Sequence, residues 1–252
     1  MYLSDAFAVH PLVARLHVSG GLTDQHVAAL SAVSCETASY PAGHQIFRAG
    51  DRPGRGLLLL EGFVSNSKVV ENGKRQIMSL HIPGDLPVQM MHPDWALDVD
   101  ISAVSACKLA CFDPGEIWAV CQEHPQISWA LWECALITAS IHREWIVNVG
   151  HRPAVSRLAH LFCETMTRLE AAGLARDDGC DLPLTHVQLS DATGLSRVQV
   201  TRSMKELRQR DLIKFENGRL TIRDRKGLAE VGGFRPDYLY IAPSRIVAQP
   251  QG

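Results

Sequence analysis

A basic stripe near residue 200 has the clearest chemical capacity in this sequence. Arg197, Val198, Thr201, Arg202 and Lys205 recur at the spacing of one helix face. A guanidinium group pairs with phosphate oxygens and forms bidentate hydrogen bonds to guanine, while an ammonium group contacts phosphate as a point charge. The stripe therefore predicts a surface that contacts nucleic acid.

The opposite side of the same segment is apolar. Val200, Met204 and Leu207 are related as i, i+4 and i+7, which is typical of a helix buried on one side. Leu189 and Ala192 give a preceding short helix its own buried side. Together these patterns predict two short helices that pack against each other.

Turn and cap residues connect the two helices. Gly194 stands where the chain needs a positive φ or a close helix approach. Ser196 is suited to cap the second helix and is also a candidate for DNA contact. Thr185 and His186 begin the first helix, where they are suited to hold a DNA backbone, and Gln199 is a further candidate for base or phosphate contact. This arrangement predicts a helix-turn-helix whose second helix enters the major groove.

A hairpin follows directly. Asn217-Gly218 separates two apolar runs, Ile213–Phe215 and Leu220–Ile222, which is the strongest short signal for a two-residue turn. An isolated helix pair could instead be an ordinary αα-hairpin with a solvated charged face. The hairpin favours a winged helix-turn-helix, because context is what confirms a motif.

Charge is distributed unevenly along the chain. The net charge is −2, yet residues 181–226 contain ten Lys or Arg against six Asp or Glu. Affinity for nucleic acid depends on cations near phosphates and not on the sum over the chain. The local excess therefore supports the same interpretation.

Length and composition limit the class of protein. At 252 residues and 46% hydrophobic content, the chain is expected to form two globular domains. No apolar run approaches the ~20 residues that cross a bilayer, and the N-terminus has no basic region before an apolar stretch, so a cytoplasmic location without membrane contact is expected. Seven scattered cysteines do not form a disulfide framework, and the absence of an N-terminal cysteine cluster disfavours an iron–sulfur centre.

The remaining chain predicts an α+β fold. Residues near 5–35 have a helical pattern with a start at Thr23-Asp24, whereas residues 40–112 contain short apolar runs cut by glycine, typical of a β-roll or jelly roll. The segment ISAVSACKLACF is expected to form one alternating strand, with Cys107 and Cys111 as small core residues on one face.

A long helix follows residue 123. Its apolar positions form a heptad seam that predicts dimerisation: Ile127, Leu131, Cys134, Thr138, Ile141 and Trp145. Burial of this helix within a single chain is the alternative. Arg152-Pro153 then predicts a hinge before a helix at 154–171. The expected domains are a sensor at 1–122, a dimerisation helix at 123–150, a winged helix-turn-helix at 151–240 and a flexible tail at 241–252.

This order of elements resembles the Crp/Fnr family of bacterial transcription regulators over nearly the whole chain. The resemblance is carried by PAGHQIFRAGD, LLLLEGF, GKRQIMSLHIPGD, HREWIVNVGHRPAVSRLAHLFCE and LPLTHVQLSDATGLSRVQVTRSMKELRQRDLI. It implies a homodimeric sensor that reorients two winged helices on double-stranded promoter DNA and acts with RNA polymerase. The recognition helix in this family commonly presents Glu, a small residue and Arg, where this chain has Val198, Thr201 and Arg202.

The sensor region departs from the cyclic-nucleotide binders of the family. They hold the cyclic phosphate with an arginine, but this chain has no Lys or Arg between Gln76 and Cys107, and burying an unpaired phosphate is costly. Cyclic nucleotide is therefore disfavoured. Haem at His81 or His92, or a thiol-based redox signal at Cys107, Cys111 or Cys121, is the alternative.

The sequence is also compatible with two other functions. A cupin-like metal enzyme shares the β-roll shape, but the sequence has only His44 and His81 on expected strands and no cluster of metal ligands, so no enzyme activity is expected. A ligand-binding protein that has lost DNA binding is also compatible with Val198.

Overall fold

The computed structural model describes Val13 and residues 22–88, 95–175 and 179–241. Two compact units make up the chain: residues 1–68 with 78–138, and residues 69–77 with 139–252. The division falls inside one long helix, so the domain boundaries expected from the sequence stay predictions. The expected tail lies outside the described residues, except for Ile241.

The N-terminal unit is a β-roll flanked by helices. Its elements are α1 (Asp24–Ser31), β1 (Cys35–Tyr40), β2 (Gln45–Phe47), β3 (Gly56–Glu61), β4 (Val64–Val69), β5 (Arg75–His81), β6 (Asp100–Ala103), β7 (Cys107–Phe112) and α2 (Pro114–Glu123). The final residue of β4 and the first three of β5 belong to the other unit. Strand order is β1-β7-β3 in one sheet and β2-β6-β4-β5 in the other.

The helical start at Thr23-Asp24 is confirmed, because Thr23 caps α1 in a capping box. The helix ends at Ser31, and β1 begins at Cys35, a strand that the sequence pattern did not predict. Strand β1 pairs along its whole length with β7. Its pattern of exposed and half-buried residues explains why no apolar run marks it.

The prediction of one strand over ISAVSACKLACF is wrong. The chain forms β6, turns, and continues as β7 in the other sheet. Phe63 fixes the turn, because its carbonyl accepts from Val104 N at 2.8 Å and its amide donates to Ser105 Oγ at 3.0 Å. Cys107 and Cys111 both contribute to the apolar core between the sheets, as expected.

Two helices follow β7. Asp113 caps α2 by accepting from Gly115 N at 2.7 Å. The chain breaks its helical geometry at His124 and then forms α3 (Pro125–His151), which has 27 residues. The first half of α3 lies in the N-terminal unit and packs against the core that Leu58, Leu60 and Phe112 help to form.

The C-terminal unit contains the end of α3 and all later elements. These are α4 (Ala154–Ala171), β8 (Gly179–Asp181), α5 (His186–Thr193), α6 (Arg197–Gln209), β9 (Ile213–Glu216), β10 (Arg219–Ile222), α7 (Arg225–Gly232) and a 3-10 turn (Pro236–Leu239). Helix α4 has the bounds predicted from Pro153 and packs against α5, α6 and α7. It is the central helix of this unit, with Leu158, Phe162 and Met166 buried.

None of the helices in the described ranges is long and apolar enough to span a bilayer.

Candidate nucleic-acid interface

Helices α5 and α6 form the predicted helix-turn-helix. Each helix begins with a capping box. Gln188 Oε1 accepts from the amide of Thr185 at 2.9 Å, and Gln199 Oε1 accepts from the amide of Ser196 at 2.9 Å. Gly194 ends α5 with φ 66°, a left-handed conformation in which a side chain would be strained. The local sequence thus fixes both helix starts and the turn between them.

One side of α6 is buried. Val200, Met204 and Leu207 lie in the core of the unit, as their spacing predicted, and Ser203 lies beside them. Leu189 and Ala192 bury the inner side of α5, and Leu195 fills the turn. The core therefore fixes which side of α6 faces outward.

The outward side of α6 has the residues expected to contact DNA. Arg197, Val198, Thr201, Arg202 and Lys205 are all exposed, and Val198 is 60% accessible. Across the described residues, the side chains of the three cations form no ion pair. Their charge is therefore free to attract phosphate oxygens.

Cations on and beside the hairpin are arranged differently. Each faces a carboxylate: Lys214 with Glu216 at 3.0 Å, Arg219 with Asp181 at 3.6 Å, and Arg223 with Asp211 at 2.8 Å. The turn itself follows the prediction, because Asn217 and Gly218 have φ of 51° and 74°. Two consecutive positive φ angles are typical of a tight hairpin turn, here between β9 and β10.

The caps change the role expected for three side chains. Gln199 was a candidate for base or phosphate contact, but its amide oxygen accepts from Ser196 N. Ser196 and Thr185 are likewise occupied as caps of α6 and α5. They stabilise the helix starts, and any contact of theirs with DNA would compete with those bonds.

His186 lies next to the exposed stripe. Its Nδ1 is 3.5 Å from Thr201 Oγ1, and that hydroxyl also donates to the carbonyl of Arg197 at 3.0 Å. The first turn of α5 and the middle of α6 therefore present their polar side chains to the same surface.

The predicted dimer seam lies mainly on the inner side of α3. Ile127, Cys134 and Trp145 are no more than 5% exposed, and Ile127 and Cys134 belong to the core of the N-terminal unit. The other three, Leu131, Thr138 and Ile141, are half-buried. This part of the prediction needs correction, because the apolar seam is used within the chain itself.

A different face of α3 is exposed and apolar. Trp129, Trp132, Leu136 and Ile146 are each between 47% and 69% accessible. Sequence reasoning missed this stripe because Trp129, Trp132 and Leu136 are spaced by three and four residues, like the inner seam. Two apolar faces on one helix were the signal, and the structure identifies which one is outward.

Of the two histidines expected as haem candidates, His81 and His92, the first does not form a ligand site among the described residues. The His81 ring is 5% exposed, with Nε2 at 3.0 Å from Ser79 Oγ and Nδ1 at 3.9 Å from Asp85 Oδ2, so both nitrogens face protein groups and not an open site. His92 lies outside the described residues. Among the described residues, no group of three or more His, Cys, Asp or Glu is placed to hold a metal ion.

All seven cysteines are free thiols. Burial raises the pKa of Cys107 and Cys111, and it raises the pKa of Cys35 to about 11. Redox reactivity requires the thiolate, so these environments disfavour a cysteine sensor at neutral pH.

Comparisons with known proteins agree with this architecture. A family model described as a Crp-like helix-turn-helix domain matches residues 156–231, and one described as a cyclic nucleotide-binding domain matches residues 37–124. Together they cover more than half of the chain.

Relatives with this organisation include the transcriptional activator protein FnrL of Cereibacter sphaeroides, 27% identical over 73% of this chain and 75% of that protein. The nitrogen fixation regulation protein FixK of Bradyrhizobium diazoefficiens is 26% identical over 73% of this chain and 77% of that protein. The solved structure of FixK2 from Bradyrhizobium japonicum covers 81% of this chain and all of that chain, at a TM-score of 0.70 and 19% identity. The chain belongs to the Crp/Fnr family of transcription regulators and has the DNA-binding helix-turn-helix of that family.

Proposed function

We propose that this protein is a homodimeric regulator that reads DNA sequence with α6 and does not sense cyclic nucleotide. The observation that carries the DNA-binding part is the contrast between Arg197, Arg202 and Lys205, which form no ion pair within the described residues, and the paired cations of the hairpin. Three such cations on one helix face suit an anionic partner.

Arg202 is the main specificity candidate. It is exposed, and its guanidinium suits bidentate hydrogen bonds to O6 and N7 of guanine. Val198 offers a methyl surface that suits the C5-methyl group of thymine, and it has no acceptor for the amino group of cytosine. The half-site is therefore expected to differ from that read by relatives with Glu at this position.

Dimerisation is proposed through the exposed stripe of α3. Trp129, Trp132, Leu136 and Ile146 form an apolar surface on one helix, and tryptophan is enriched at protein interfaces. Two copies packed along this helix would present two recognition helices to half-sites about one DNA turn apart. Contact with RNA polymerase follows from the resemblance to the family.

The sensor proposal depends on missing cations. Residues 77–106 contain no Lys or Arg, and Asp85 already accepts from the amide of Ile82 at 2.9 Å. A cyclic phosphate bound along this segment would meet no cation of the segment itself and would lie beside a carboxylate. Saturating cyclic AMP or cyclic GMP is therefore expected to leave the melting temperature unchanged, and a clear upward shift would contradict this part.

The experiment for DNA binding is selection from random duplexes, followed by fluorescence anisotropy on the enriched sequence at several salt concentrations. Wild-type protein should enrich a partly palindromic site, with an affinity that falls steeply as salt rises. Arg202→Ala should weaken discrimination at one base pair by ~1–3 kcal/mol. Arg210→Ala is the matched control, because Arg210 lies just after the same helix but pairs with Glu206. Absence of enrichment with wild-type protein would refute the proposal.

A further inference from the structure

A buried polar cluster joins three elements of the C-terminal unit. Glu164 on α4 has no exposed side-chain surface, and its carboxylate accepts from Trp145 Nε1 at 3.0 and 3.2 Å and from Tyr238 OH at 2.7 Å. Trp145 comes from the end of α3, and Tyr238 comes from the 3-10 turn. One side chain therefore binds two segments that are distant in sequence.

The 3-10 turn is held by further contacts. The Tyr238 hydroxyl is 3.1 Å from His160 Nε2, and the two rings are stacked with centroids 6.1 Å apart. Phe234 packs edge-on against both rings, at 5.3 Å from His160 and 6.1 Å from Tyr238. The 3-10 turn is therefore packed against the rest of the C-terminal unit.

The location of the cluster connects it to the recognition helix. Glu164 belongs to α4, which packs directly against α6. Trp145 precedes Ile146, which lies on the exposed stripe of α3. The hydrogen bonds of Glu164 therefore fix the end of the proposed dimer helix to the helix that supports α6, across the hinge at Pro153.

The buried carboxylate of Glu164 depends on its hydrogen-bond donors. A carboxylate removed from water is costly unless hydrogen bonds replace its solvation, and burial raises the pKa of Glu164. Arg168 Nη1 lies 3.6 Å from the same carboxylate, farther than Trp145 Nε1 at 3.0 Å and the Tyr238 hydroxyl at 2.7 Å. Loss of one donor leaves a buried polar group poorly satisfied, and the surrounding elements must shift to restore its partners.

We propose that Tyr238 is a positioning residue for DNA binding: its hydroxyl, through Glu164, holds the end of α3 and helix α4 in the relative orientation that presents α6. Tyr238 lies outside residues 156–231, the segment that matches the helix-turn-helix model. The proposed positioning role therefore extends the DNA-binding unit beyond that segment. This inference rests on the proposed function, because it requires that the dimer binds DNA.

The test compares Tyr238→Phe with Tyr240→Phe in the full-length protein. Tyr240 is a matched control, because it lies two residues away and its side chain is 70% exposed. Tyr238→Phe should weaken affinity for the selected DNA by ~10-fold, the order expected when a hydrogen bond to a buried charged group is lost. Tyr240→Phe should leave the affinity unchanged. Trp145→Phe, which removes the other close donor, should resemble Tyr238→Phe.

A spectroscopic signal separates positioning from general stability. The indole N–H resonance of Trp145, assigned with Trp145→Phe, should move in Tyr238→Phe, because Trp145 and Tyr238 donate to the same carboxylate of Glu164. It should stay in place in Tyr240→Phe. A lower melting temperature for Tyr238→Phe with unchanged DNA affinity would overturn the inference. Wild-type protein that binds no DNA would overturn the proposed function as well, whereas equal binding by wild type and Tyr238→Phe would overturn this inference alone.

Discussion

Arg157 donates from Nη1 to the carbonyl oxygen of Thr193, 3.0 Å away, at the last residue of α5. The same guanidinium donates from Nε to the carbonyl of Arg152 at 2.8 Å, at the hinge between α3 and α4. A cation at the carboxyl end of a helix also interacts favourably with the helix dipole. One side chain therefore connects the hinge to the turn of the helix-turn-helix.

Substitution Arg157→Met should destabilise the protein. It removes two hydrogen bonds from a charged donor while retaining much of the apolar stem, so the free energy of unfolding should fall by ~2–4 kcal/mol. Urea denaturation monitored by circular dichroism measures this change. Arg235→Met is the control, because Arg235 is exposed and its ion pair within the described residues is with the exposed Asp237. Equal stability of both variants would show that the Arg157 contacts contribute little.

Val198 should determine one base of the half-site. Val198→Glu introduces an acceptor for the N4 amino group of cytosine, so random-duplex selection should return a changed preference at one position in each half-site, worth ~1–3 kcal/mol. Stability should change little, because Val198 is exposed. An unchanged preference at every position would place Val198 away from the bases.

Leu136 tests the dimer surface. Leu136→Glu places a carboxylate on the exposed stripe of α3, and burying it in an apolar interface should weaken self-association at least ~30-fold, or about 2 kcal/mol. Analytical ultracentrifugation over a concentration series measures the effect. Val69→Glu is the matched control, because Val69 is also exposed but lies on β4. Unchanged self-association of Leu136→Glu would show that the dimer interface does not include this stripe.

His160 should contribute to acid sensitivity. Burial, with the nearby Arg152 charge, lowers the pKa of His160 from 6.5 to about 4, while Glu144 opposes that shift. Because the unfolded chain then binds the proton more readily, this contribution to stability is fully present above pH 6.5. It is lost as the pH falls through about 4, by up to ~3 kcal/mol.

His160→Gln removes this titration, so its unfolding free energy should depend less on pH between 6.5 and 4 than that of wild type. The raised pKa of Glu164 acts in the opposite direction, since protonation is easier in the folded state and stability falls as pH rises. The comparison is therefore made as a difference between the two proteins. Parallel pH profiles would exclude His160 as a source of acid sensitivity.

Local patterns in the sequence predicted the structure of the helix-turn-helix and of the hairpin. The buried side of α6, its exposed stripe and the Asn217-Gly218 turn each depend on residues close in sequence, so spacing alone is informative. The start of α4 followed from Pro153, which has no amide hydrogen to donate. The caps were only half predicted, because the return contact from Gln199 to Ser196 competes with the DNA contact that was expected of it.

Features that depend on distant residues were not predictable in the same way. The break between β6 and β7 depends on Phe63, about forty residues earlier, and β1 is defined by pairing with β7. The choice between two apolar faces of α3 depends on which one the β-roll covers. The cluster around Glu164 joins residues 145, 164 and 238, and no spacing rule relates them.

The capping boxes and buried side of α6 have a practical consequence for engineering. Ser196, Gln199 and the core positions hold the helix, whereas the exposed stripe makes no contribution to that core. The five stripe positions, 197, 198, 201, 202 and 205, can therefore be randomised together as a cassette without rebuilding the domain. Selection of such a library on random duplexes would measure which operator sequences the proposed DNA-binding surface can read.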